Sequence, residues 1–135
     1  MKSWTEEIII HTPIEHLFSY LDGSLAQMQK LMPQVIENTP LKETDAIVGN
    51  VYRQKYKEGE DIQEYDVETL DYINTPIYKS LKFGFTLANM FNITATYELR
   101  QIDEMQTLFK YTATNQVVVD FVNRFKTIAE SEYNK

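Results

Sequence analysis

The chain has 135 residues, no cysteine and a formal net charge of −7. That length fits one domain with a real hydrophobic core, and the lack of thiols excludes disulfides, thiolate zinc sites and cysteine nucleophiles. The acidic balance speaks against nucleic acid or an anionic membrane as partner, because phosphate neutralisation needs clustered Lys and Arg.

With 43% hydrophobic and 13% aromatic residues, the chain is not a disordered one. The first 71 residues carry 14 acids and 6 bases, and the rest carry 6 acids and 7 bases. No apolar run follows Lys2, and no stretch nears the roughly 20 apolar residues of a membrane span. A soluble, cytoplasmic protein without membrane insertion is therefore expected.

Trp4 to His11 ends in three isoleucines and reads as a strand. Thr12-Pro13-Ile14-Glu15 reads as a helix start, with Thr12 as cap, Pro13 at the first helical position and Glu15 closing a capping box. Ile14, Leu17, Phe18 and Leu21 follow at the spacing of one buried helical face. Asp22-Gly23-Ser24 breaks that helix. A second short one carries Leu25, Met28 and Met32 and ends at Pro33.

Strand-like patterns then fill about 80 residues, at 34–43, 50–57, 62–73, 77–87, 91–101 and 105–114. Gly84, inside a strand, marks a bulge or bend. The short separators demand antiparallel neighbours, since parallel crossovers need a dozen or more residues. From about Asn115 to Asn134 the apolar stripe Val118, Phe121, Val122, Phe125 and Ile128 or Ala129 predicts a terminal helix of roughly 30 Å. The β-branched run Val117-Val118-Val119 leaves its start open. The order is one strand, two short helices, six antiparallel strands and one long helix, a single α+β domain over 1–135. Sheet and helix must each bury a face against the other.

The hairpin from Val51 to Glu68 sorts its side chains most clearly. With the turn at Glu58-Gly59-Glu60-Asp61, Lys55 faces Glu64 and Arg53 faces Asp66 on a charged, wet face. On the other face Tyr56 meets Gln63, Gln54 meets Tyr65, and Tyr52 meets Val67. Aromatics mixed with a few amides suit a ligand cavity better than a dry core. The inward set is Tyr52, Gln54, Tyr56, Gln63, Tyr65, Val67 and Thr69. It is followed by Leu81, Phe83 and Phe85, then Phe91, Ile93, Ala95 and Tyr97. Phe109 and Tyr111 join it from the last strand, and Phe121 and Phe125 from the helix. The same side chains would also pack as ordinary core, with the Gln54–Tyr65 and Tyr56–Gln63 pairs satisfying one another. A buried hydroxyl or amide left without any partner costs on the order of 1–3 kcal/mol.

The segments "IIIHTPIEHLFSYL", "KLMPQVIENTPL", "GNVYRQKYKEG" and "EYDVETLDYINTP" resemble the first strands and helix of the helix-grip proteins. That is the START and Bet v 1-like (SRPBCC) superfamily, with its polyketide cyclase/dehydrase and lipid-transport group. The resemblance covers nearly the whole chain. It implies a seven-stranded antiparallel curved sheet wrapped around a long C-terminal helix. It also implies a hydrophobic or amphipathic small molecule bound between the two. One departure is a terminal helix that is short and ends almost at Lys135.

Chemistry offers less. His11 and His16 do not share a face, and no third metal ligand has a fitting spacing. Both read as surface histidines. Ser3, Ser19, Ser24, Ser80 and Ser131 lack a nucleophile context, and 4 glycines make no phosphate cradle. No catalytic residue, metal or cofactor is expected. Three functions stay open: a binding module for a small lipophilic ligand, a cyclase- or dehydratase-type enzyme, and an interaction module. The last would be a chaperone partner or homodimer with a filled core, and Met90-Phe91 is its candidate patch.

Overall fold

The computed structural model describes residues 3–22, 24–87, 91–114 and 118–134, with the side chains of residues 86, 87, 91, 92 and 118 outside that description. The candidate patch at Met90-Phe91 and the Val118 end of the helical stripe therefore lie outside the described side chains.

Seven antiparallel strands form one sheet in the order β1-β7-β6-β5-β4-β3-β2. The strands are β1 Trp4–Ile10, β2 Val35–Lys42, β3 Val51–Glu58, β4 Asp61–Asn74, β5 Tyr78–Leu87, β6 Phe91–Asp103 and β7 Gln106–Ala113. Between β1 and β2 lie the short helices α1 Ile14–Phe18 and α2 Leu25–Leu31, and the chain ends in α3 Val118–Tyr133. β1 and β2 are the edges, and Pro40 sits on β2, where a missing ladder donor is tolerated.

The β3–β4 register is the one the charge pattern predicts: Arg53 opposite Asp66, Gln54 opposite Tyr65, Lys55 opposite Glu64 and Tyr56 opposite Gln63. Arg53 Nε lies 3.0 Å from Asp66 Oδ1, while Lys55 turns to Glu37 on β2 at 3.2 Å. Gly59, at φ 63°, makes the left-handed turn residue between the arms.

Gly84 pairs with Glu68, just beside the irregularity, and does not form it. The register shift lies on β4, between Thr69 and Asp71, so Leu70 is the extra residue. Its Cδ1 lies only 3.0 Å from where a Cβ on residue 84 would stand. The glycine makes room for the bulged leucine, and the bulge bends the sheet.

Two expectations for the first helix are corrected. Pro13, not Thr12, is the N-cap of α1, and no side chain caps it. Thr12 is drawn into the interior instead. Its carbonyl accepts from Thr107 Oγ1 at 2.9 Å, and its own hydroxyl has no partner among the described residues. α1 also stops at Phe18, and the chain continues in tighter turns, Tyr20 N–H to Leu17 O and Leu21 N–H to Phe18 O. That brings Tyr20 and Leu21 into the core. α2 is capped conventionally, Ser24 accepting from the Gln27 N–H at 3.2 Å.

α3 packs against β1 and β7, at one edge of the sheet. Its stripe Val122, Phe125 and Ala129 is fully buried, with Phe121 and Ile128 partly so. The dry core lies here, built from Ile10, Leu17, Leu99, Phe109, Phe125 and their neighbours. Because α3 sits over that edge, the concave face of β3, β4 and β5 is left to face a cavity.

His16 is not the surface residue expected. Half-buried between α1 and α3, its Nε2 lies 3.3 Å from both the Ala129 carbonyl and Tyr20 Oη. Among the described residues, no helix is long and apolar enough to cross a membrane.

Candidate functional site

The cavity encloses about 690 Å³, within the ~300–1,000 Å³ common for small-molecule sites. Its wall comes from β3 to β7, with the α1–α2 segment, α2, the start of β2 and α3 closing around it. Of the eighteen wall residues named from the sequence, fifteen line it: Tyr52, Gln54, Tyr56, Gln63, Tyr65, Val67, Thr69, Leu81, Phe83, Phe85, Ile93, Ala95, Tyr97, Tyr111 and Phe121; the Phe91 side chain lies outside the description. Phe109 and Phe125 do not line it. They meet edge to face, centroids 4.7 Å apart, in the dry core under α3. Phe109 has the same strand parity as Tyr111. What differs is depth: Phe109 is fully buried against Phe125, while Tyr111 stacks on Phe121 nearer the start of α3 and stays partly open to the cavity.

The aromatic wall is continuous. Ring centroids step from Tyr56 to Tyr65 (6.4 Å), Phe85 (5.8 Å), Phe83 (6.5 Å), Tyr97 (6.0 Å), Tyr111 (5.1 Å) and Phe121 (4.5 Å). Alternation explains why: Leu81, Phe83 and Phe85 project from one face of β5, and β6 and β7 place Tyr97 and Tyr111 opposite one another.

Polar groups interrupt that wall, and most lack partners. Gln54 is 8% exposed. Neither the Gln54–Tyr65 nor the Tyr56–Gln63 pair is hydrogen-bonded; on this hairpin the side-chain bonds run instead from Asn50 to Tyr52 and from Arg53 to Asp66. Burial, with the Tyr56 hydroxyl nearby, pushes the Tyr65 hydroxyl up to about 12. Asn38, opposite Gln54 on β2, lines the cavity, and its Oδ1 is buried without a partner among the described residues. Tyr97 is buried, which holds its hydroxyl well above the usual range, and its ring stacks on that of Tyr111.

Sequence reasoning missed the other wall: Asp22, Met28, Met32, Gln34, Asn38, Ile47, Glu58 and Arg124 also line the cavity. Met28 and Met32 carried the helical spacing that could have found them. Asp22 did not, because it lies in a break between helices. Burial raises its carboxyl, although Oδ2 accepts from Tyr72 Oη at 3.0 Å and Lys79 is close. Lys79 is itself buried, its side chain 3% exposed. It pairs with Glu15 at 3.1 Å, donates to Asn74 Oδ1 and lies over the Phe18 ring. No group of three or more His, Asp or Glu is placed to hold a metal among the described residues.

No family model and no curated protein matches the chain in sequence. Solved structures do match in shape. A major latex-like protein of Panax ginseng superposes with a TM-score of 0.70 at 14% identity, covering 97% of this chain and 96% of that one. The structure of Ara h 8.0201 gives 0.68 at 13%, with the same coverages. The chain has the Bet v 1-like helix-grip fold. An aromatase/cyclase of Streptomyces sp. R1128 shares the helix-grip arrangement, with a TM-score of 0.65 at 11% identity over 96% of this chain and 82% of that one. Identities this low relate the architecture alone; the chemistry rests on the residues of this cavity.

Proposed function

We propose that this protein binds a hydrophobic or amphipathic small molecule in the cavity between the sheet and its helices. The carrying observation is the aromatic wall interrupted by unpartnered polar groups, Gln54, Tyr65 and Asn38 Oδ1. Filled as dry core, that space would leave Gln54 and Tyr65 without partners as Asn38 Oδ1 already is, and each buried polar group without a partner costs about 1–3 kcal/mol. A ligand with an apolar body and a few donors or acceptors satisfies both halves of the wall. The test is native mass spectrometry of the purified protein with added amphiphile, compared with its denatured mass. A one-to-one adduct that disappears on denaturation is expected. Absence of any adduct across aromatic and long-chain amphiphiles contradicts the reading.

A second reading is favoured by one observation. Asp22 lines the cavity with a carboxyl raised by burial, hydrogen-bonded from Tyr72. A carboxyl held in that way can move a proton on a carbonyl compound, as a cyclase or dehydratase needs. Turnover of a polyketone substrate that Asp22→Asn abolishes, with ligand binding retained, would establish it. Binding without turnover leaves the first reading.

A further inference from the structure

The cavity is not uniform in charge. Its lining holds two carboxylates, Asp22 and Glu58, and among the described residues one cation, Arg124. Asp22 is engaged by Tyr72, and Glu58 is exposed at the end of β3. Arg124 stands differently. It rises from the third residue after Phe121 on α3, and its guanidinium lies over the Phe121 ring, 5.6 Å from the centroid. Phe121 in turn stacks on Tyr111, and Tyr111 on Tyr97. Arg124, Phe121 and Tyr111 thus follow one another at the end of the aromatic wall, and all three line the cavity. Two of the three acids of α3 are used elsewhere: Glu130 holds Lys126 at 2.6 Å and His11 at 3.3 Å, and Glu132 holds Lys30 at 3.2 Å; the third, Asp120, is exposed one turn before Arg124 and forms no ion pair with it. Among the described residues Arg124 has no carboxylate within 4.0 Å.

Its neighbour is arranged to help. Burial raises the Tyr111 hydroxyl, while Tyr97 and the positive charge of Arg124 act against that rise. A phenol hydroxyl can donate as well as accept, so Tyr111 can offer its proton to an oxyanion. A guanidinium fork and a phenol at one end of an apolar wall form a donor set that matches the two oxygens of a carboxylate or sulfonate.

We propose that Arg124 and the Tyr111 hydroxyl form the head-group subsite of this cavity, taking the oxyanion of an amphipathic organic acid whose apolar body lies along Tyr97, Phe83 and Phe85. The proposal rests on the reading of the cavity as a ligand site and narrows it to a charge class. The protein as a whole carries −7 and repels anions, so any preference for an acid has a local cause.

Two probes separate the claims. N-phenyl-1-naphthylamine is neutral, and 8-anilinonaphthalene-1-sulfonate is the same ring system with a sulfonate added. Both brighten in apolar surroundings, so their affinities are read by fluorescence titration. Binding of the neutral probe tests the cavity, and the difference between the probes tests the subsite. The sulfonate is expected to bind about tenfold more tightly than the neutral probe, the factor equivalent to ~1.4 kcal/mol. Arg124→Gln removes that preference and leaves the neutral probe unchanged. Arg124→Lys keeps part of it, since an ammonium retains the charge and loses the fork. Tyr111→Phe lowers it severalfold. Lys110→Gln, an equal loss of charge on the opposite face of β7, leaves it intact. The preference also falls with ionic strength, because Arg124 is open to solvent.

The proposal is overturned if wild type binds both probes equally, or if the preference survives Arg124→Gln, and in either case the cavity reading stands. If neither probe binds, both fall together. Arg124 is exposed, so its variants are expected to fold; the salt titration of wild type gives the same decision without them.

Discussion

Gln54 on β3 and Tyr65 on β4 stand directly opposite one another, both turned into the cavity, and share no hydrogen bond. Cross-strand neighbours this close could have satisfied each other. That they do not leaves an amide and a phenol presented to the cavity interior, which is what separates this wall from ordinary core.

Tyr65→Phe tests that relationship. A hydroxyl with no partner contributes little to folding, so urea unfolding is expected to shift by less than ~0.5 kcal/mol. Affinity for a hydroxylated or carbonyl-bearing amphiphile is expected to fall severalfold, read by probe displacement. A large loss of stability with unchanged binding would place the hydroxyl in the core.

Phe125 and Phe85 separate core from wall. Phe125 is fully buried under α3, and Phe125→Ala is expected to cost about 3–5 kcal/mol. Phe85 is partly buried and faces the open cavity, so Phe85→Ala forms no closed void and is expected to cost about 1–2 kcal/mol. Chemical denaturation of the two variants side by side gives the comparison.

The junction of α1 and α3 carries a pH dependence. Tyr20 is fully buried, and its hydroxyl donates to Glu132 Oε1 at 2.7 Å. That bond, with Lys30, holds the Glu132 carboxyl below the usual glutamate range against the effect of burial, and the same bond and burial raise the Tyr20 hydroxyl. A carboxyl lowered on folding stabilises the folded state above its unfolded value, near pH 4.3. That contribution is lost as the pH falls through the folded value. Tyr20→Phe is expected to cost about 1.5–3 kcal/mol at neutral pH, the range for a bond to a charged group. It is also expected to lose less stability than wild type on acidification below pH 5, measured by thermal melts.

Ile47 is the one non-glycine residue with positive φ among the described residues, at 70°, and it lines the cavity. A β-branched side chain in this region is strained, and the left-handed conformation costs an L-residue roughly 1–2 kcal/mol. In a loop, Ala normally stabilises relative to Gly through the unfolded chain. Here Ile47→Gly is expected to be more stable than Ile47→Ala by about 1 kcal/mol, compared by thermal melting. The opposite order would show that the loop relaxes out of the strained conformation.

Much of the fold was legible because strand alternation and charge pairing are local. The β3–β4 register follows from which residues carry charge, and a one-residue slip would have reversed both faces. The helical stripe of α3 was legible for the same reason. What was not legible depends on where the helices come to rest. Phe109 and Tyr111 are equivalent by alternation, yet only Tyr111 lines the cavity, because Phe109 is fully buried against Phe125 of α3 while Tyr111, against Phe121, is only partly buried. Asp22 and Asn38 enter the cavity from a helix break and an edge strand, and Arg124 from a helix flank, none of which has a periodic signature. Thr12 looked like a cap because its type and spacing fit one. In the fold its carbonyl accepts from Thr107 and the helix is capped one residue later, at Pro13.

The most direct test of the cavity as a ligand site is an NMR titration of the labelled protein with N-phenyl-1-naphthylamine, following side-chain amides and backbone resonances together. The account predicts saturable shifts at the Gln54, Gln63 and Asn38 amides and at the backbone of Phe83 and Tyr97, with Leu70 and Ile73, exposed on the sheet, unmoved. Shifts confined to the exposed residues, or none that saturate, would contradict it.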